Sequence, residues 1–477
     1  MRRHFHLPAR GAKFGVFGVL FLSACAALPP APVARIAKSP AAYAATTAFE
    51  APEAAWPSDN WWEGYGDRQL DGLMSEALAQ SPDLAQAQAR VLKARAASAA
   101  AHAALLPQIT GNANIQEAKQ SYQYLIPQSC LPVGYQDYAQ ATLNLNWELD
   151  FWGKNRAAIA AAASRAQASA ADAAEARLIL TTDIATAYAT LSQLYADRDV
   201  ADEAVKVREE TATLVSQRVT NGLDTQAELK QAQASAPATR ANVAAIDEQI
   251  ALTRDELAAL MGDGPDRGLA IDRPATPHLA HFGLPANLKI NLIGRRPDIV
   301  AARWRAQAAV KDVTGAKAQF YPDIDITGFI GQQALHVSQL VVPGAQFGAI
   351  GPAISLPIFD GGRLRANLRG AQADREAAIS AYDQAVIEAF HQVADAAASE
   401  HALDARLSQS RLALDDYEQA YRVARLRYEG GLSTFQSVLL AEDAVLNQRR
   451  IVTDLESRGF VLDIALVRAL GGGFHQS

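Results

Sequence analysis

Residues 154–221 read KNRAAIAAAASRAQASAADAAEARLILTTDIATAYATLSQLYADRDVADEAVKVREETATLVSQRVTN, and this stretch decides the fold. It contains 68 residues with neither glycine nor proline, and it is rich in alanine, the residue with the highest helix propensity. A continuous helix of this length extends about 100 Å. No globular core is that deep, so the sequence predicts an elongated and mainly helical molecule.

The segments on either side of this helix occur twice, which indicates an internal duplication. The offset is 215 residues for the two upstream pairs and 209 for the two downstream pairs. The pairs are Ser81-Pro82-Asp83-Leu84 with Arg296-Pro297-Asp298-Ile299, Leu106-Pro107-Gln108-Ile109 with Tyr321-Pro322-Asp323-Ile324, Gly153–Ala157 with Gly362–Ala366, and Arg218–Leu223 with Arg427–Leu432. The first copy therefore has a longer loop between Pro107 and Gly153.

Each copy is predicted to contain a helix, a strand pair, a long helix, a turn and a further helix. In the first copy the flanking helices run from Pro82 to Leu106 and from Gly222 to about Met261. Their summed length is close to that of the long helix, so the two are expected to stack end to end beside it. Pro237 lies inside the second of them and is expected to kink it or mark a joint.

Residues 138–149 alternate strictly between polar and apolar side chains. The polar set is Tyr138, Gln140, Thr142, Asn144, Asn146 and Glu148, and the apolar set is Ala139, Ala141, Leu143, Leu145, Trp147 and Leu149. Such alternation fits a transmembrane β-strand with a polar luminal face, although a half-buried strand of a soluble sheet has the same period. Four strands per chain cannot close a barrel, and open edges are costly in lipid, so several chains are expected to pool their strands.

The N-terminus reads as an export signal. Four basic residues precede the apolar run 14–22, and the run ends in Leu22-Ser23-Ala24-Cys25. This ending resembles the lipobox of bacterial lipoproteins, in which the cysteine is diacylated; an ordinary signal peptide is the alternative. If Cys25 carries lipid, Cys130 has no partner for an internal disulfide.

Composition excludes several classes of function. The net charge of −7 and the pI near 5.8 argue against nucleic-acid binding, which needs a basic face. No motif for a nucleophilic elbow, a phosphate-binding loop or a Cys-x-x-Cys site occurs. His278 and His281 are too few for a metal site. We expect no catalysis and no cofactor beyond a lipid on Cys25.

Several motifs then point to a family. They are Trp61-Trp62 with Gly66-Asp67 and Leu70, Leu149–Gly153, Leu292–Ile299, Pro357–Arg363 and Ala469–Gly473. On these the chain resembles the TolC-like outer-membrane factors, in particular the OprM/NodT-like lipoproteins of resistance-nodulation-division efflux systems, from Cys25 to Gly473. The resemblance implies a homotrimer with a shared 12-strand barrel and a long periplasmic α-helical barrel. It also implies a periplasmic membrane-fusion adaptor and an inner-membrane efflux transporter as partners.

The domain boundaries follow from the duplication and the resemblance. They are a lipoprotein signal peptide (1–24), a lipidated tether (25–60), repeat 1 (61–262, strands about 107–150, tip turn about 221–223), a connecting equatorial segment (263–296), repeat 2 (297–473, strands about 322–358, tip turn about 430–432) and a tail (474–477).

The resemblance also suggests functional residues. The tips that would meet the adaptor contain Gly222, Leu223, Gly431 and Leu432, whose glycines also serve as plain turn residues. Candidates for a periplasmic gate are Glu228, Arg427, Tyr428, Glu442 and Asp443. The chain departs from the family here, because Ser437 and Leu440 occupy the usual aspartate positions. Ordinary solvated helix charges are the alternative for the three carboxylates.

The sequence thus predicts a lipid-anchored protein of the outer membrane that extends into the periplasm. Its expected function is a passive exit duct for small toxic compounds in a tripartite efflux pump. A type I secretion duct and a non-channel envelope lipoprotein are the alternatives. The lipid anchor and the string Arg295–Asp298 favour small-molecule efflux.

Overall fold

The computed structural model describes residues 35–45, 47–123, 128–130, 132–279 and 281–476. Cys25 and the predicted signal peptide lie outside the described residues. Within the described ranges, none of the helices combines the length and the apolar character that a membrane crossing needs.

The helices repeat in the predicted order. In chain order they are α1 (Arg68–Gln80), α2 (Pro82–Ala103), α3 (Lys154–Thr220), α4 (Gln226–Met261), α5 (Leu288–Arg295), α6 (Pro297–Ala318), α7 (Arg363–Glu429) and α8 (Phe435–Leu470). Both long helices have 67 residues, both preceding helices 22, and both following helices 36. Short turns of helix lie at Pro40–Ala42, Trp61–Tyr65, Gln128–Cys130, Pro265–Gly268 and Val337–Gln339.

Three details differ from the prediction. Helix α2 ends at Ala103 rather than near Leu106, and α1 and α5 were not expected. Helix α4 runs unbroken through Pro237, so this proline does not mark a joint between two helices, and the kink stays a prediction. The Ser235 carbonyl, two residues before the proline, accepts bonds from Thr239 Oγ1 at 3.0 Å and from Arg208 Nη1 at 3.3 Å. These bonds lie close to Pro237, whose missing N–H leaves the carbonyl of Gln233, four residues earlier, without its helical donor.

Four antiparallel strands form one sheet in the order β1-β2-β3-β4. Their bounds are β1 (Gln108–Ala118), β2 (Gln136–Glu148), β3 (Asp323–Leu335) and β4 (Gln346–Ser355). The central pair joins the two copies, since β2 belongs to the first and β3 to the second. The register aligns Leu143 with Ile330, so the apolar face continues from β2 to β3, whereas Asn144 pairs with Phe329 and an aromatic side chain interrupts the polar face there.

The chain divides into two compact units. The first contains the sheet together with residues 92–168 and 303–381, and a small core of Val313, Phe320, Leu364 and Leu368. The second contains residues 37–91, 169–302 and 382–477 and holds the larger apolar core.

Helix α1 packs one face against the core of the second unit. Its Leu70, Leu73 and Met74 are almost fully enclosed within the core cluster that also contains Tyr188. Burying each such side chain stabilises the fold by about 1.5–3 kcal/mol. Asp67 caps the helix by accepting from Gln69 N at 2.8 Å.

Asp67 and Arg296 explain two of the family motifs. The second carboxylate oxygen of Asp67 accepts from Tyr188 Oη at 2.6 Å and from Ala275 N at 3.0 Å. Arg296 is buried, forms a bidentate pair with Asp298 at 2.7 and 3.0 Å, and donates to the Ala469 carbonyl. Arg296 therefore ties the start of α6 to the end of α8.

The end of α8 approaches the α5–α6 junction so closely that only glycine fits. Gly471 has a φ of 93°, and a Cβ built there overlaps the Arg295 carbonyl. Gly222 has a φ of 72° and faces open space.

We predict that Gly222→Ala lowers the free energy of unfolding by about 1–2 kcal/mol, the cost of the left-handed conformation. Gly471→Ala adds a backbone overlap and should lower the free energy of unfolding by more, roughly 3 kcal/mol or above. Denaturant unfolding of the two variants checks this, and equal losses would contradict the close approach.

Candidate functional site at the hairpin tips

The turn after α3 closes the first hairpin, which consists of α3 and α4. Gly222 N donates to the Val219 carbonyl at 3.0 Å, and Leu223 N donates to the Arg218 carbonyl at 2.9 Å. This pair of bonds is the Schellman motif, which satisfies the last carbonyls of a helix and requires a left-handed residue. Glycine therefore has a structural reason to stand at position 222.

The second hairpin, α7 and α8, has the same turn. Gly431 N donates to the Tyr428 carbonyl at 3.0 Å, and Leu432 N donates to the Arg427 carbonyl at 2.7 Å. The leucine that follows each glycine stands out into solvent: Leu223 is 62% exposed and Leu432 is 72% exposed. Each tip thus presents one apolar side chain, as the sequence predicted.

The helices that leave the two turns start differently. Thr225 and Glu228 form a capping box at the start of α4, in which Glu228 Oε2 accepts from Thr225 N at 2.7 Å. The corresponding position in the second copy is Ser437, and Thr434 there forms no side-chain cap. Glu228 therefore has a structural task at the helix start, and its part in a gate stays a prediction.

A buried polar cluster joins the two tips. Tyr428 is fully buried, and its hydroxyl donates to Asp224 Oδ2. Arg218 Nε pairs with the same carboxylate oxygen at 2.9 Å, and the Arg218 guanidinium lies 4.3 Å from the centre of the Tyr428 ring. Burial, with the adjacent Asp224 carboxylate adding to it, raises the pKa of the Tyr428 phenol. One aspartate of the first copy thus holds an arginine of its own copy and a tyrosine of the other.

Arg427, in contrast, has an exposed side chain. The structure places Arg218, its counterpart in the first copy, in the cluster instead. The sequence analysis named Tyr428 but missed Arg218 and Asp224. Comparing the copies offers a signal for them, because Ser433 stands where the first copy has Asp224.

The remaining gate candidates lie in a second cluster. Glu442 is 1% exposed, and its carboxylate accepts from Thr211 Oγ1 at 2.7 Å. Arg208 Nε lies 3.7 Å from the same carboxylate, and Arg208 Nη2 pairs with Asp443 at 3.0 Å. Burial raises the pKa of the Glu442 carboxyl.

Glu442 therefore connects α3 with α8 inside the protomer, whereas the Asp443 side chain is half exposed. Thr211 and Arg208 were not identified from the sequence. Their partners lie more than two hundred residues away along the chain, where no local pattern points to them. The tip cluster, the Glu442 cluster and the Glu228 cap are three separate sets of contacts.

Comparison with known proteins gives the family. A family model described as outer membrane efflux protein matches residues 73–263 and 290–472. The chain belongs to the outer membrane efflux protein family. The two matched segments correspond to the two copies, each with its strand pair and hairpin.

Two relatives support the assignment to this family. The multidrug resistance outer membrane protein MdtP of Shigella flexneri is 33% identical over 434 residues, covering 88% of this chain and 87% of MdtP. The fusaric acid resistance protein FusA of Burkholderia cepacia is 39% identical over 325 residues, which are 67% of this chain and 61% of FusA. The match thus spans less than two thirds of FusA.

Among solved structures, the outer membrane protein VceC of Vibrio cholerae superposes with a TM-score of 0.84 at 43% identity, covering 88% of this chain and all of VceC. The outer-membrane channel OprN superposes with a TM-score of 0.82 at 27% identity. The predicted family, fold class and outer-membrane location are confirmed. The protein is the outer-membrane channel of an efflux system rather than an enzyme.

The contacts of Asp224 predict how much this residue stabilises the cluster at the hairpin tips. Asp224→Asn keeps the shape of the side chain but removes the charge that faces Arg218, so the cluster should weaken by about 1–3 kcal/mol. Amide hydrogen exchange of residues 218–228 should become faster, as measured by mass spectrometry. Asp247→Asn is the matched control, because its pair with Arg198 is largely solvated and worth about 0–1 kcal/mol. Equal exchange at the tip in both variants would contradict a stabilising role for Asp224.

Proposed function

We propose that three copies of this chain form a passive exit duct, through which an inner-membrane transporter drives small toxic compounds out of the cell. The observation that carries this proposal is the four-stranded sheet. In the described part of the chain β1 and β4 are its two edges, and no further strand pairs with them. In a membrane the backbone groups of an edge need partners, because lipid offers none. If β1 of one protomer pairs with β4 of the next, the edge backbone groups form hydrogen bonds, and three protomers give a closed sheet of twelve strands.

The two faces of the sheet support this arrangement. One face carries Asn112, Asn144 and Thr327 at neighbouring positions, and the other carries exposed Ile109, Ile330 and Ile350. A polar face toward an aqueous lumen and an apolar face toward lipid match this pattern. The family consists of trimeric channels, which agrees with the number three.

We place adaptor contact at the two tips. Leu223 and Leu432 are held outward by rigid turns, and a helical hairpin of a periplasmic membrane-fusion adaptor would cover them. The Tyr428–Asp224 contact would hold the two hairpins of one protomer together while the duct is closed. Glu228 and Asp443 remain the candidates for carboxylates at a periplasmic gate. Glu442 acts in our proposal as a tie between helices.

We also propose that Cys25 carries the lipid that anchors the chain, on the basis of the sequence Leu22–Cys25. The first described residues after it are held by the folded protein. Arg35 N donates to the Glu376 carboxylate at 3.2 Å, and Lys38 N donates to Asp383 at 3.0 Å. The names of MdtP and FusA mention resistance to drugs and to fusaric acid, and they support small toxic compounds as the cargo.

Planar-bilayer recording of the purified full chain tests the duct. We expect discrete single-channel steps from the wild type and from Gly351→Ala, whose added Cβ meets open space. Gly331→Ala lies on the same face, but its Cβ overlaps the Ala141 carbonyl, so this variant should lose the steps. A folded trimer without conductance would overturn the duct. A deletion strain that keeps its resistance but fails to export a polypeptide would favour type I secretion.

The exposed leucines predict the strength of adaptor contact. Leu432→Ser should weaken cross-linking to a purified adaptor by about tenfold or more, since burying a leucine is worth about 1.5–3 kcal/mol. Leu252→Ser is the control, because Leu252 is similarly exposed but lies within α4 away from the turn. If both variants cross-link like the wild type, the tips are not the apolar contact.

A further inference from the structure

The apolar face of the sheet contains a groove. Two glycines, Gly328 of β3 and Gly348 of β4, lie on this face at diagonal positions, because Gly328 pairs with Ile350 and Ile330 pairs with Gly348. Neither glycine contributes a side chain, so the neighbouring side chains form walls around an open floor. The resulting groove has a volume of 530 Å³.

The walls of the groove are aliphatic. They consist of Ile109, Leu143, Leu145, Ile330 and Ile350, and the lining is completed by Asn144, Phe329 and Ala349, whose side chains belong to the opposite face by strand register. Four of the five wall side chains are between 56% and 75% exposed in the protomer. As far as the described residues go, no charged side chain lines the groove. The protomer leaves these apolar side chains uncovered, and contiguous exposed apolar side chains commonly mark an interaction site.

Glycine at these two strand positions costs stability, and close contacts within the sheet also restrict larger residues there. Glycine inside a strand weakens it, and it commonly marks a place where a ligand or another backbone approaches closely. The backbone itself already limits larger residues here, since a Cβ at Gly348 lies 2.8 Å from the Phe329 carbonyl. At Gly328 the nearest atoms are 3.2 Å away and include Ile350 Cγ1, which is able to move.

We propose that this groove binds one acyl chain of an outer-membrane lipid and keeps it in a defined position. A hydrocarbon chain needs no hydrogen bond, and the aliphatic walls offer none. The protein resides in the outer membrane, so acyl chains are the apolar groups that this face meets. A second copy of the chain would pair with the edges of β1 and β4 through backbone groups and leave the face uncovered. The inference rests on the proposed placement of the sheet in the membrane.

The test uses the full-length protein in nanodiscs of phosphatidylethanolamine that carries a photoreactive diazirine in one acyl chain. After illumination, the labelled peptides are mapped by mass spectrometry. We expect labels to concentrate on the peptides of β2, β3 and β4 that contain Leu143, Ile330 and Ile350. Leu143→Trp fills the groove with an indole ring and should lower that labelling several-fold.

Ile115→Trp is the matched control. Ile115 is also exposed on the apolar face, but it does not line the groove, so this variant should be labelled like the wild type. Even labelling along the whole apolar face, or an equal decrease in both variants, would overturn a specific acyl site.

Conductance of the same preparations separates this inference from the proposed function. Wild-type protein that conducts but is labelled evenly refutes the acyl groove alone. Wild-type protein that is trimeric and folded but does not conduct refutes the duct. The Trp variants are compared only if they conduct like the wild type, which confirms that both are folded.

Discussion

The structure depends on the hydrogen bonds that the backbone of a membrane sheet must form. Four strands satisfy the backbone of β2 and β3 on both sides, but they satisfy β1 and β4 on only one. Water serves such edges in a soluble protein, whereas lipid leaves them unpaired at a cost of several kcal/mol for each group. In the proposed duct the association of several chains is therefore required, because it pairs β1 of one protomer with β4 of the next.

Duplication produced two hairpins of equal length, but it did not keep them chemically equal. The Schellman turns are alike in both copies, because the glycines satisfy a backbone need that each long helix has in common. The side chains around them differ: Glu228 and Asp224 of the first copy correspond to Ser437 and Ser433 of the second. Asp224 thereby serves the tyrosine of the other copy. A single acidic residue thus links the first hairpin to the second.

Buried charged side chains lie where the two sequence repeats of one protomer meet. Glu442 of the second copy accepts from Thr211 of the first, and Arg208 of the first lies beside it. A buried carboxylate is costly unless hydrogen bonds and an opposite charge offset the loss of hydration. Helix pairs that are rich in alanine have few bulky side chains to specify their register. Polar contacts of this kind specify it, because any shift along the helix leaves a charge without its partner.

Much of the fold could be predicted from the sequence because it depends on local pattern. The period of two in residues 138–149, the absence of glycine and proline in residues 154–221 and the repeat offsets each report a property of the chain itself. Those patterns predicted the long helices, the strands, their two faces and the turn glycines. They also predicted the need for association, since the number of strands is set by the sequence and the unpaired edges follow from it.

The tertiary structure decided which side chains meet. Tyr428 and Asp224 are 204 residues apart, and Thr211 and Glu442 are 231 apart, so their contacts depend on how the helices align rather than on any local signal. Helix α1 packs Leu70 and Met74 into the larger apolar core, and the residues that form this core come from distant parts of the chain. Local periodicity determines the type and direction of an element, whereas the register between elements determines its partners, and only the folded chain contains that register.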